Sequence, residues 1–326
     1  ILNLFLPIQY SIQANVLGSL AFAVFGWLIG ALGHDGGHFA VSRCAAVNDA
    51  CVWGMSLLCN PVMWQHQHTY AHHSHTNDYH RDPDLHHFEY LLRVHNFVKL
   101  EEIHKQQKKT WFVVLAYAFV VFGECLFIPI QVWKLGSMYG IVEWTDRKRP
   151  LRAMAFVLHW FAYVGIIVVA PFFGSSSILN AIGCVVLHVT TSGLLFAFFS
   201  QINHLNEGSL TPTTTRKKDD MLSSSWAANQ VETSNNFCAN SSFWHVLSNG
   251  LNLQIEHHLF PGLNHSHLHW IAPVVEKTCR EYGVVYKNYN SWTDIMNAAL
   301  RWLDIMSSDS LEGGKQKEHE QKTSLQ

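Results

Sequence analysis

Residues 12–33, IQANVLGSLAFAVFGWLIGALG, run for 22 positions without a charged side chain and stop directly at His34. A helix of that length crosses the hydrocarbon core of a bilayer, and all its backbone polar groups are paired inside the segment. Composition agrees with a membrane setting. Charged residues make up 14% of the 326-residue chain and hydrophobic residues 48%, whereas a soluble domain carries about a quarter charged residues. A net charge of −2 gives no basic surface, so no nucleic-acid partner is expected. Seven cysteines without a CxxC pair argue against a disulfide framework and against a thiolate metal site. The chain starts at Ile1 rather than Met, which suggests a fragment, and its start lacks the form of a signal peptide.

The opening ILNLFLP is too short to span and reads as the tail of an upstream span. Residues 51–63, CVWGMSLLCNPVM, are apolar but short, and are expected to be interfacial or re-entrant. Three longer apolar stretches follow at 111–133, 152–173 and 178–199. Histidine clusters lie both before and after them, so an odd number of crossings would separate those clusters by the membrane. The stretch 111–133 contains Glu124 and Pro129, both unfavourable in lipid. It is flanked by Lys105, Lys108 and Lys109 and by Arg147, Lys148, Arg149 and Arg152, and such residues mark the cytoplasmic side. It is therefore expected to lie along the interface or to dip in and return. The stretches 152–173 and 178–199 form a hairpin of spans. The sequence predicts an all-α integral membrane protein, with spans at 12–33, 152–173 and 178–199 and a cytoplasmic helical cap. This domain covers 1–305, and 306–326 is a disordered tail. No internal repeat is visible.

Histidine is the compositional outlier, with 22 copies. His34-Asp-Gly-Gly-His38 has i, i+4 spacing, which sets two imidazoles on one helix face. Its glycines leave room for a close backbone or a ligand. His68-Thr-Tyr-Ala-His72-His73 repeats the step and adds an adjacent histidine. His204 follows the last span, and Gln254-Ile-Glu-His257-His258 closes the set. A lone HxxxH occurs by chance on many surfaces, but here every group sits at a membrane–polar boundary. His159 and His188, inside spans, read as packed structural residues. His66, His75, His80, His86 and His87 read as supporting or surface residues, and His265, His267 and His269 as surface or interfacial.

One zinc ion takes three or four protein ligands. Eight imidazoles, His34, His38, His68, His72, His73, His204, His257 and His258, with Gln254 as a further polar member, suit two metal ions with open positions. Imidazole accepts several metals and does not choose among them. Asp35, Asp78, Asp82, Asp84 and Glu256 are candidate acceptors for the far ring nitrogens.

In order and spacing, HDGGH, HTYAHH and QIEHH resemble the three histidine boxes of the membrane fatty acid desaturase family. The glutamine of the third box, in LNLQIEHHLFPGLNHSH, is similar to the front-end branch, which inserts double bonds on the carboxyl side of an existing one. The runs His73–Asn77, Asp82-Pro-Asp84 and Trp226–Ser234 have parallels there. The resemblance spans about residues 15–290. It implies an oxygen-dependent di-iron enzyme that forms a cis double bond in a lipid acyl chain, the nine residues just named as metal site, and electrons from cytochrome b5 and its reductase. It also implies an endoplasmic reticulum location with the metals facing the cytoplasm. Front-end enzymes commonly carry an N-terminal cytochrome b5 domain with a His-Pro-Gly-Gly motif. This chain has none, so that domain was cut away or the donor is separate. Trp64, Tyr70, Phe260 and Trp244 are candidates to line an acyl channel, or to anchor at the interface.

Three rival readings remain at this stage. A fatty acyl or sphingolipid hydroxylase, or an acetylenase, shares the scaffold. A histidine-rich metal transporter places ligands near the bilayer midplane, often in repeated halves. A membrane zinc hydrolase needs one three-ligand site and a base, which leaves about half of these histidines unexplained.

Overall fold

The computed structural model describes residues 8–210 and 225–308. The opening ILNLFLP and the expected tail from residue 309 onward lie outside the described residues. Helix α1 (Val16–Gly37) begins where the Asn15 side chain accepts from the Gly18 N–H at 2.9 Å, a cap for an otherwise unpaired donor. One face of α1 exposes Leu20, Val24, Leu28 and Leu32 at intervals of four, an apolar stripe suited to lipid. The other face is small. A Cβ on Gly33 would lie 2.7 Å from the Gly54 carbonyl carbon, and one on Gly36 2.8 Å from the Val52 nitrogen. Gly33 and Gly36 thus admit the neighbouring backbone, and Gly37 the Trp64 ring. Residues 51–63 form no long helix; Val52–Leu57 makes a tight turn against α1.

After α2 (Ala45–Cys51), α3 spans residues 61–75, capped by Asn60. Helix α4 (Thr110–Leu135) is followed by α5 (Pro150–Gly174) and α6 (Ile178–Phe199). The hairpin α5–α6 matches the expected pair of spans, and the Ser177 side chain caps α6. By length and composition, four helices among the described residues can cross a membrane: Val16–Gly37, Thr110–Leu135, Pro150–Gly174 and Ile178–Asn203. The one beyond the expected three is α4. Both of its ends join the polar part of the molecule. Just before it, Gln107 hydrogen-bonds the backbone of Arg93 and Leu303. Just after it, the hairpin β1 (Ser137–Met138) and β2 (Val142–Glu143) leads to Asp146, which pairs with His66 and Arg152. Glu124, the acid counted against burial in lipid, is itself buried and paired with His87.

The remaining elements build a helical cap. They are α7 (Trp226–Glu232), β3 (Asn236–Phe237), α8 (Ser242–Leu247), α9 (Gln254–Leu259), α10 (Leu268–Glu281), β4 (Asn288–Tyr289) and α11 (Trp292–Met306). The two parallel strands pair Asn236 with Asn288 and Phe237 with Tyr289. Trp302 and Leu303 of α11 join Phe237, Leu92 and Phe199 in one core that continues into the spans. The fold is all-α apart from these short strands.

Gly36→Ala is expected to destabilise the protein by about 1–3 kcal/mol, the range for overpacking a filled site. Gly183→Ala, where no atom lies within 4 Å of the added carbon, should leave stability unchanged or slightly raised. Thermal unfolding in detergent checks both.

Candidate metal centre

Each histidine motif is delivered by a local backbone device. His34 lies in the last turn of α1 and His38 caps it, with their ring centroids 4.8 Å apart. The second motif is not α-helical. Gln65–His72 is π-helical, and the His73 N–H bonds the His68 carbonyl. With i→i+5 bonding, residue i+5 returns over residue i, as i+4 nearly does. His72 and His73 therefore both flank His68, which an α-helix would not allow. His204 follows a tight turn, Gln201–Asn203, at the end of α6. Every residue from Gln254 to His258 is buried in α9.

These elements bring all eight predicted histidines together. Ligand atoms of His34, His38, His68 and His257 lie within 4.8 Å of one another, as do those of His72, His204 and His258. His73 bridges the two groups. Its Nε2 is 3.2 Å from that of His68 and 3.1 Å from that of His257, and its ring stacks on His258 at 4.2 Å. His34 Nε2 lies 3.1 Å from His68 Nε2. Nitrogens at about 2.0–2.1 Å from a tetrahedral ion sit about 3.3 Å apart, so these separations fit ligands around a shared ion. Buried Nε2 atoms of His38 and His258 have no protein partner. Gln254 Nε2 lies 2.9 Å from His204 Nε2, and its Oε1 is buried without a partner. The donor set suits two metal ions.

Protein groups hold the far nitrogens of three rings. His72 Nδ1 donates to Asp82 at 2.9 Å, His204 Nδ1 to the Thr233 carbonyl at 3.0 Å, and His258 Nδ1 to Gln230 Oε1 at 2.8 Å. Such bonds fix the tautomer and leave Nε2 free to ligate. Burial, with neighbouring imidazoles adding to it, holds His204 down to about 3 and keeps His38, His73, His257 and His258 well below the usual range. Burial also dominates at His68, which falls to about 3 although Asp84 opposes it. Neutral imidazoles present lone pairs for a metal. His72 is the exception: burial acts against its charge, but Asp82 and then Asp84 overcome it and raise the ring to about 9.

Of the five candidate acceptors, Asp82 holds His72, and Asp84 comes within ligand reach alongside His68 and His72. Asp35 pairs with His265 at 2.7 Å and lies 4.0 Å from His34. His265 is thus tied to the acid beside the first motif rather than being a plain surface residue. Asp78 bonds Arg81, and Glu256 bonds Asn236 and Tyr286, so neither serves the cluster. His159 bonds Asn60 and the Ser56 carbonyl, and His188 packs on Phe22, as structural residues do. Gln230 and Thr76, which touch His258, were not singled out from sequence. The only signal for Gln230 was its place in the Trp226–Ser234 run.

A cavity runs from the cluster between the helices. His34, His68, His72 and His204 form its polar end, and Trp27, Ala31, Leu58, Phe196 and Leu251 its apolar wall. Trp64 lines it and stacks on His68 at 4.8 Å. The other expected lining residues lie elsewhere. Tyr70 and Phe260 face outward, and Trp244 stacks on Trp292 within the cap core.

A family profile described as fatty acid desaturase matches residues 11–290. The chain is 28% identical, over 94% of its length and 84% of the relative's, to a Synechocystis protein named sn-1 linoleoyl-lipid 6-desaturase. It is 30% identical, over 86% of its length, to an acyl-lipid (8-3)-desaturase of Physcomitrium patens, of which it covers 59%. It is 27% identical, over 92% of its length and 70% of the relative's, to an acyl-lipid (7-3)-desaturase of Rebecca salina. No solved structure matches the chain.

Gln230→Leu keeps the side-chain volume but removes the acceptor behind His258. It is expected to weaken metal binding about 10–100-fold, read by chelator competition with Co2+.

Proposed function

The chain belongs to the fatty acid desaturase family, and from that premise we propose that it is a di-iron, oxygen-dependent acyl-lipid desaturase of the front-end type. The observation that carries the reading is the pair of histidine groups at the polar end of an apolar cavity. His34, His38, His68 and His257 would hold one iron, and His72, His204 and His258, with Gln254 beside them, the other. His73 lies between the two. When bound, the irons supply the redox capacity to reduce dioxygen, which side chains lack. The reaction takes a –CH2–CH2– pair, dioxygen, two electrons and two protons to a cis –CH=CH– pair and two waters.

The chain's own residues do the rest. Asp82, Gln230 and the Thr233 carbonyl hold protons on the far ring nitrogens and so aim the near ones. Apolar walls at Trp27, Leu58, Phe196 and Leu251 exclude water and fix a flexible acyl chain with one carbon pair near the metals. Front-end regiochemistry is supported by Gln254 at the head of the third box. The relatives' names, 6-desaturase and (8-3)-desaturase, point the same way. Electrons come from cytochrome b5 and its reductase. An endoplasmic reticulum location follows from the family resemblance alone, whereas a cytoplasmic side for the cap is supported by the basic residues flanking α4. Helices α1, α5 and α6 cross the membrane. Helix α4 lies along the interface or dips in and returns, which agrees with both of its ends joining the polar part of the molecule and with its central Glu124 meeting the buried His87.

Expression in yeast fed polyunsaturated acids, with cytochrome b5 co-expressed, tests the reading by gas chromatography. A new alkene at a position between an existing double bond and the carboxyl end is expected, and it should be lost in His257→Ala. A hydroxylated product would move the chain to the sister chemistry. Purified protein holding one zinc and giving no product would overturn the proposal. Removing metal with a chelator should lower the thermal midpoint, because a ligand bound only by the folded state stabilises it.

A further inference from the structure

Glu124 has no task in the scheme above, yet its placement is costly. It is 6% exposed in an otherwise apolar helix, where an apolar side chain would pack without desolvating a charge. The helix also departs from regular geometry there, since Gly123–Phe127 is π-helical. Such turns re-aim side chains at functional positions. Glu124 Oε1 meets His87 Nδ1 at 2.5 Å. The His87 side chain is fully buried, and its other nitrogen lies 3.2 Å from Asp84 Oδ1. Gln67 Nε2 donates to the same Asp84 oxygen at 2.9 Å. The second Asp84 oxygen faces His72 Nδ1 at 3.6 Å and His68 Nδ1 at 3.9 Å. Those rings belong to different halves of the cluster. A continuous chain of side chains therefore links the middle of α4 to both halves of the centre.

We propose that Glu124 is a positioning residue for the metal centre: through His87 it fixes Asp84, and Asp84 sets the ring of His68 and places its charge beside His72, whose Nδ1–H donates to Asp82. The inference rests on the di-metal reading. With both nitrogens engaged, the His87 ring can neither rotate nor flip without breaking a bond. Asp84 is then held on one oxygen by His87 and Gln67, and its other oxygen stays directed at the two rings. A residue that merely anchored α4 would need no link beyond His87. The link continues to the cluster, where direct partners of the ligands are worth about 10–100-fold in affinity and Glu124, two links further out, a smaller share.

The test uses the full chain with Co2+ as the probe, reading affinity by chelator competition and coordination from the visible ligand-field spectrum. Glu124→Gln keeps the shape and removes the charge. It is expected to weaken Co2+ binding by a few-fold, up to about 10-fold, below the range for a direct partner of a ligand, and to shift the bands. In an Asp84→Asn background, Glu124→Gln should add little further loss, because coupled neighbours are not additive. If Glu124→Gln fails to fold, His87→Gln breaks the same link from its other end and is read by the same measurements. Tyr163→Phe, a buried neighbour of Cys125, should leave affinity and spectrum unchanged. The proposal is overturned if Glu124→Gln lowers the thermal midpoint equally with and without Co2+ while affinity and spectrum stay as in the parent. It is also overturned if the Glu124 and Asp84 losses multiply independently. A parent protein that binds fewer than two Co2+ per chain would overturn the di-metal reading itself, whatever the variants do.

Discussion

Everything in this molecule is arranged around one electrostatic constraint: eight imidazoles must sit within a few ångströms of one another, out of water, and mostly uncharged. Burial, with neighbouring imidazoles adding to it, favours the neutral form of His73, His257 and His258. It is not enough to orient them. Orientation comes from acceptors and donors that reach the ring edges from elsewhere in the chain, such as Asp82 from the loop after α3 and Gln230 from α7. The elements that deliver the rings must end at one level, which is why α1 and α6 terminate in histidine-bearing turns and why α9 is short and buried from Gln254 to His258.

The cap can be understood as the consequence. A cluster at the end of a helix bundle would be open to water without a lid, and the segments around 225–308 supply one. Its core is continuous with that of the spans, through Trp302, Phe237 and Phe199. Burying the acids near the cluster follows from the same logic. In low dielectric a carboxylate and an imidazole interact strongly, so pairs such as Asp82–His72 and Glu124–His87 can hold geometry that surface pairs could not.

The parts of this arrangement that were legible in the sequence are those governed by local spacing. Long apolar stretches marked α1, α5 and α6. The i, i+4 steps marked the ring pairs, and all eight rings converge. The parts that were not legible depend on long-range contact. Nothing near Gln230 or Glu124 in sequence announces a histidine partner 28 or 37 positions away. Asp35 and Glu256 look equivalent, each lying beside or within a histidine motif, yet one meets His265 and the other Tyr286. Trp64 and Trp244 look equally suited to line a cavity, but only Trp64 has a histidine ring to stack on. By length and composition α4 could span, and Glu124, Pro129, the flanking cations and the need for an even number of crossings led the sequence reading to an interfacial or re-entrant placement.

The π turn at Gln65–His72 has a consequence for how such motifs tolerate change. Taking one residue out between His68 and His72 would turn HxxxHH into HxxHH and let the turn relax to an α-helix. The three rings would then fall at i, i+3 and i+4, again on a common face. The wide turn therefore absorbs a single-residue insertion that would otherwise swing two rings away from the centre. A one-residue change in box length can thus leave the three rings on one face, because helix pitch adjusts in place of the ligands.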